Sequence, residues 1–255
     1  MQKTNKITIL PGFNKNGSSE TFDSIDIMKG ETVAIVGPTG SGKSQLLYDI
    51  EKLANGDTKS QRKVLVNDKV ADRKRRFDPK EKLIASLSQS MHFLTDLPVE
   101  EFLSLHIQAR GKVASKNLIQ EVIEEANEIT GEAISPTMNL ISLSGGQSRA
   151  LMIADIAHIS TSPIILIDEI ENAGIRKEKA IEVLIKEGKI VLIVTHDPAL
   201  ALEADKRIVV KNGGVEQIIT TSEKEKEIAR HLNKLEESAL RLREKIRNGE
   251  AIESL

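Results

Sequence analysis

The chain has no cysteine and no tryptophan. Disulfides, thiol nucleophiles and Cys-ligated metals are therefore excluded, although the compartment is not identified by this alone. Aromatic residues are scarce, five Phe and one Tyr in 255 residues, which weakens any base-stacking reading. Charge of one sign is also missing. The formal net charge is −2, so there is no global basic field to attract nucleic acid. The one dense basic run, Arg73-Lys74-Arg75-Arg76, reads as a solvated face. No apolar run approaches the ~20 residues that a membrane helix needs. The opening residues, MQKTNKITIL, lack a signal-peptide core. The chain reads as soluble and cytoplasmic, with docking on a membrane protein at the inner face of the cell membrane left open.

Aliphatic residues are plentiful. Hydrophobic residues make up 39% of the chain, enough for one large α/β unit, with or without an appendage. The stretch Gly37-Pro38-Thr39-Gly40-Ser41-Gly42-Lys43-Ser44 fits G-x-x-x-x-G-K-[ST], the phosphate-binding P-loop. A buried-strand run, Thr32 to Val36, precedes it and a helix-compatible run, Gln45 to Leu53, follows. Glycines let successive N–H groups turn inward toward phosphate oxygens, and the following helix adds its positive end. Lys43 is placed to meet the β and γ phosphates, and the Ser44 hydroxyl to ligate Mg²⁺.

The remaining pattern is α/β. Strands are expected at 6–10, 21–28, 32–36, 64–66, 83–88, 163–167, 190–194, 207–210 and 215–219, the second hairpinned to the first. Residues 11–19 read as a loop, and Phe13 lies in it. Helices are expected at 96–110, with Phe102, Leu103, Leu105 and Ile107 on its apolar face, and at 115–130, 148–159, 177–187 and 198–204. Those from 96 to about 135 form a helical insertion, and the helical subdomain extends to about 150. From about Glu223 the pattern changes. Ile228, Leu232, Leu235, Ala239, Leu242 and Ile246 are spaced 4-3-4-3-4, an amphipathic heptad seam. This tail, 221–255, fits a helix packed on the body 1–220 or one pairing with a partner.

Further elements agree with the P-loop. Ile164 to Asp168 is an apolar strand ending in an acid, the Walker B pattern, with Asp168 suited to Mg²⁺. Glu169 follows, where it can accept a proton from water attacking a γ-phosphate. With Leu143-Ser144-Gly145-Gly146-Gln147, with Gln89 ending a strand, and with His196 after another strand, the order P-loop, Gln, LSGGQ, Asp-Glu, His resembles the nucleotide-binding domain of the ATP-binding cassette family over residues 5–220.

The resemblance implies a P-loop NTPase fold: a mixed sheet with a RecA-like core, an antiparallel β subdomain and an inserted helical subdomain. It implies an ATPase using ATP and Mg²⁺. Two chains, as a homodimer or with another such ATPase, would pair head to tail, and the signature 143–147 of each would close over the other's nucleotide. Gln89 would touch Mg²⁺ or the attacking water, His196 would contact the γ-phosphate, and Phe13, or else Phe22, would stack on adenine.

The chain also departs from the family. The usual D-E-P-T-S-A-L-D is here Asp168-Glu169-Ile170-Glu171-Asn172-Ala173-Gly174-Ile175, with Ile175 in place of the final acid. Ala150 and Asp155 stand where Arg is frequent. A working ATPase with altered communication between sites is expected. The resemblance implies an ATP-binding subunit of a transporter, its helical insertion receiving membrane subunits. Two alternatives stay open. One is a soluble ATPase that remodels a partner enzyme, since the Asp168–Ile175 stretch is similar to one in ATPases that reactivate cobalamin-dependent aminomutases. The other is a nucleotide-gated clamp with little turnover.

Overall fold

The apolar runs TVAIV and IVLIV lie side by side at the centre of a six-stranded sheet. The computed structural model describes residues 4–72, 74, 76, 82–88, 91–169 and 175–251. In chain order its elements are β1 (Lys6–Leu10), β2 (Ile25–Met28), β3 (Thr32–Val36), α1 (Lys43–Glu51), β4 (Lys63–Val66), β5 (Lys69–Val70), β6 (Ile84–Leu87), α2 (Val99–Ala109), α3 (Lys116–Thr130), α4 (Gly145–His158), β7 (Ile164–Asp168), α5 (Lys177–Lys186), β8 (Ile190–Val194), α6 (Pro198–Glu203), β9 (Lys206–Lys211), β10 (Gly214–Thr220) and α7 (Glu223–Arg247).

The large sheet has the order β10-β9-β3-β8-β7-β6. Every pair is parallel except β10 with β9. Parallel strands covered on both faces must be apolar throughout, not alternating; β8 is buried at every position and β7 at all but Asp168. A second, antiparallel sheet has the order β2-β1-β4-β5. Here β2 alternates buried Ile25 and Ile27 with exposed Asp26 and Met28, as one solvated face requires.

Two apolar layers result. One lies between the two sheets, around α1, with Ile7, Ile9, Ile35, Leu46 and Ile50 fully buried. The other joins the opposite face of the large sheet to the helices, through Leu103, Ile107, Val122, Leu151 and Ile165. Helix α2 buries Val99, Leu103 and Ile107, whereas Leu105 is exposed.

Several boundaries differ from those expected, for local reasons. β2 is limited to Ile25–Met28, because only there does it pair with β1. Lys69–Val70, for which the sequence carries no strand expectation, adds a strand to β4. Helix α1 begins at Lys43, directly on the P-loop. Helix α4 begins at Gly145 rather than near Ser148. The cause is a capping box: the Gln147 N–H donates to Ser144 Oγ (3.1 Å) and the Ser144 N–H donates to Gln147 Oε1 (3.0 Å).

The seam of helix α7 is not its buried face. Ile228, Leu235, Ala239 and Ile246 are exposed and Leu232 and Leu242 half-buried, whereas Ala229, one residue off the seam, is buried. Among the described residues no helix is long and apolar enough to cross a membrane.

Candidate nucleotide site

The loop leaving β3 can only be built from glycine at two points. Gly37 has φ 149°, and a Cβ there would fall 2.2 Å from the Val210 carbonyl oxygen. Gly42 has φ 109°, and a Cβ there would fall 2.6 Å from Gly213 Cα. Both values lie where L side chains are strained, and both contacts are with backbone of the β9–β10 strands and turn. That turn also binds the loop directly: the Gly213 N–H donates to the Ser41 carbonyl at 2.6 Å. The Lys43 ammonium is folded over the loop, donating to the carbonyls of Gly37 (2.8 Å) and Pro38 (3.2 Å). The Ser41 hydroxyl is buried without a hydrogen-bond partner, and a polar atom so placed is costly unless something meets it. Pro38, Thr39, Gly40 and Ser44 are exposed. An ammonium, an orphaned hydroxyl and a helix start are thus gathered in one loop.

Register carries the remaining groups to the same level. Ile35 on β3 and Asp168 on β7 both pair with Val194 on β8. Asp168 therefore lies about 10 Å across the sheet from the P-loop strand, two strand spacings away. Glu169 follows with φ 55°, a left-handed conformation that costs a non-glycine residue of order 1–3 kcal/mol and recurs at functional positions. Its N–H donates to the Val194 carbonyl at 3.1 Å. Its carboxylate Oε1 stands 4.0 Å from His196 Nε2, and both side chains are partly solvent-exposed. The P-loop, Asp168-Glu169 and His196 thus leave the carboxyl ends of three adjacent strands, where ligands of α/β sheets bind.

Phe13 lies in the loop that follows β1, its N–H donating to the Ser60 carbonyl at 2.7 Å. It is 39% exposed, whereas Phe22 packs on the core between the sheets. Its loop is joined to the P-loop by Lys15, whose ammonium donates to the Gly40 carbonyl at 2.6 Å and whose N–H donates to the Asn212 carbonyl at 2.9 Å. Gln89 lies outside the described residues.

The signature is elsewhere, at the start of α4. Ser144 Oγ is engaged within its own chain: besides accepting from Gln147 it donates to Glu132 Oε2 at 3.1 Å. Gln147 is buried and its Nε2 donates to the Ala133 carbonyl at 3.1 Å. Ser144 and Gly145 are exposed, Leu143 and Gly146 half-buried. A Cβ added at Gly145 would meet nothing within 4 Å, so this helix start faces open space.

Beneath the site is a network with no motif in the sequence. Arg62 is fully buried. It donates to both carboxylate oxygens of Glu20 (2.9 and 2.6 Å), to Asp49 Oδ2 on α1 (2.8 Å) and to the Gly213 carbonyl (2.8 Å). Burial alone would push Glu20 up, but Arg62 and the N–H groups of Val215 and Gly12 outweigh it and hold that carboxyl below its ordinary value. One guanidinium thus ties together the segment leading from Phe13, the P-loop helix and the turn that grips the loop.

Comparison with known proteins agrees with this geometry. The family described as ABC transporter matches residues 23–172, more than half of the chain. An "uncharacterized ABC transporter ATP-binding protein" of Methanocaldococcus jannaschii is 56% identical over 247 residues, covering 97% of this chain and 94% of that protein. A thiamine import ATP-binding protein of Haemophilus influenzae is 32% identical over 205 residues, covering 76% of this chain and 90% of the relative. Among solved structures, a dimeric ATP-binding cassette in a post-hydrolysis state with ADP and Pi superposes with TM-score 0.60 at 24% identity, covering 85% of this chain and 99% of that one. That likeness shows the same fold. A P-loop, an acid-tipped strand and a histidine at adjacent strand ends, in a chain so closely matched in sequence, place it in the ATP-binding cassette family as an ATP-hydrolysing subunit.

Proposed function

We propose that two copies of this chain, or this chain and a relative, close head to tail over two ATP molecules and drive membrane-embedded partner subunits, in a protein working at the inner face of the membrane. The observation that supports this most is the open signature: the P-loop, Asp168-Glu169 and His196 leave three adjacent strand ends, while the start of α4 at Ser144–Gly145 is exposed and the side chains of Ser144 and Gln147 bond to each other, to Glu132 and to Ala133. A second copy is the simplest way to bring that helix start, with its N–H donors and positive end, to a γ-phosphate.

In this reading Gly37–Ser44 cradle the phosphates, and Lys43 exchanges its carbonyl partners for the β and γ oxygens. Phe13 stacks on the adenine. Glu169 accepts the proton of the attacking water, and His196 holds the γ-phosphate in line. The Ser44 hydroxyl and the Asp168 carboxylate are hard oxygen donors of the kind Mg²⁺ takes alongside phosphates and water. No cluster of three or more His, Asp or Glu that could hold a metal by itself occurs among the described residues. The ion, when bound there, neutralises charge on the phosphates. Gln89 keeps the role that the resemblance implies, contact with Mg²⁺ or water. Residues 1–220 form the ATPase unit, with helices from about 96 to 150 as its partner-facing subdomain and 221–255 as an appended helix.

The surface for the partner is a groove of about 970 Å³ between β6 and the helices α2 and α4. Phe93 and Phe102 stack edge to face in its wall, with ring centroids 5.1 Å apart, and Leu94 beside them is 97% exposed. Its position suits a short apolar helix from a membrane protein. The test is a pull-down of Glu169→Gln protein with ATP and Mg²⁺ from solubilised membranes of the native cell. Co-purification of a polytopic membrane protein, lost when Phe102 is changed to Asp, is the expected result. Capture of a soluble enzyme and no membrane protein would favour the remodelling ATPase instead.

A further inference from the structure

The tail helix reaches Asp197, the residue after His196, through a lysine. Lys177 opens α5 and its side chain is only 8% exposed. Its ammonium donates to Asp197 Oδ2 on one side, and to both carboxylate oxygens of Glu236 (2.9 and 2.8 Å) on the other. Glu236 belongs to α7. Asp197 directly follows His196 and shapes the turn that carries it. Its Oδ1 accepts from the N–H groups of Ala199 (2.8 Å) and Leu200 (3.3 Å), capping α6, and its own N–H donates to Thr195 Oγ1 at 2.9 Å. Every polar group of Asp197 described here is thus engaged, and one engagement depends on Lys177. Burial would push the Lys177 ammonium pKa down, but the two carboxylates outweigh it and raise the value. Lys177 is therefore a fixed cation. Glu225 with Arg207, and Asp205 with Lys226, fasten α7 to the body at other points, away from the His196 turn.

We infer that Lys177 is a positioning residue for ATP hydrolysis: it holds the Asp197 turn so that His196 faces Glu169, and Glu236 of the tail helix completes the clamp. Docking of α7 then becomes a condition for fast turnover rather than decoration of the body. The inference rests on the reading of His196 as a γ-phosphate contact. A misplacement of about 1 Å is enough to cost up to ~100-fold in rate, so a loose His196 turn suppresses kcat without touching the P-loop.

The test compares kcat and ATP Kd across five variants of the full chain. Lys177→Met is expected to lower kcat about 10- to 100-fold with ATP affinity close to wild type, measured at a temperature where the variant is fully folded because loss of the cation beside Asp197 also lowers stability. Lys177→Arg, which keeps a cation between two carboxylates, is expected to retain most of the activity. Glu236→Gln, a milder change that keeps the fold, is expected to give a smaller loss of kcat in the same direction. Glu225→Gln, which loosens α7 away from the turn, is expected to leave kcat unchanged. His196→Ala serves as the reference. If His196→Ala is inactive while Lys177→Met and Glu236→Gln turn over at the wild-type rate, the clamp is overturned and the histidine reading stands. If His196→Ala itself keeps full turnover, the histidine reading fails and the clamp with it. Equal losses in Glu225→Gln and Glu236→Gln would also overturn the clamp, because they would reflect a loosened tail alone.

Discussion

Changing Glu169 to glutamine is expected to lower ATP turnover at least ~100-fold, the usual contribution of a general base, while ATP still binds. The side chain keeps its shape and loses its ability to take a proton. The structural reason for choosing Glu169 over its neighbour Asp168 is backbone conformation. Asp168 is still part of β7 and pairs with Val194. Glu169 departs from the sheet with φ 55°, and its carboxylate stands 4.0 Å from His196 Nε2. Phosphate release and equilibrium ATP binding, measured on one preparation, separate the two effects. Full hydrolysis by the variant would contradict the assignment. A parallel loss of ATP binding would instead mean that Glu169 holds the nucleotide.

The second large effect is expected at Arg62. Replacing it with Met removes the cation that bridges Glu20 and Asp49, whose side chains are 1% and 0% exposed. Removing one partner of a buried ion pair leaves an uncompensated charge and costs about 3–5 kcal/mol. The loss is expected as a lower urea midpoint in equilibrium unfolding. Adding Glu20→Gln to Arg62→Met removes one of the stranded charges and is expected to recover part of the stability. The network also has a pH signature. Glu20 is held below its ordinary value in the folded chain, so its contribution is complete above the unfolded carboxylate pKa. It is lost as pH falls through the lower, folded value. Arg62→Met/Glu20→Gln is expected to lack that part of the acid sensitivity. An unchanged urea midpoint in the Arg62→Met protein would show that the network carries little stability.

Much of the fold could be read from the chain because its strands carry their own signal. TVAIV, IILID and IVLIV are apolar at nearly every position, and only a sheet covered on both faces accepts such runs. The P-loop and the acid after β7 could be read for the same reason: each sits at the end of one of these strands. Helix starts were less legible. The capping box at Ser144 and Gln147 begins α4 three residues early, and it uses the signature residues themselves as local structure. Ser144 is expected to act on a partner's nucleotide; within its own chain its hydroxyl is engaged with Gln147 and Glu132, and on closure that hydroxyl would have to exchange partners.

What could not be read was long-range polar pairing. Arg62 sits among Gln61 and Lys63, and nothing nearby marks it as buried. Its partners Glu20 and Asp49 are brought to it only by the packing of β1, β4 and α1. Lys177 is similar: its position in a charged helix start suggests a solvated residue, while Asp197 and Glu236 reach it from separate elements. The tail was read as either packed or pairing. The structure gives it a body-facing side through Ala229 and Glu236, and an outward side with Ile228, Leu235 and Ile246 exposed.

The central claim is that one chain holds only half of each site. The most direct measurement is sedimentation equilibrium of the Glu169→Gln protein with and without saturating ATP and Mg²⁺. The account predicts a monomer without nucleotide and twice that mass with ATP, reverting when Gly145 is replaced by a bulky residue that blocks approach at the start of α4. A protein that binds ATP stoichiometrically, yet pairs neither with itself nor with a second ATP-binding cassette chain of the same cell, would contradict it.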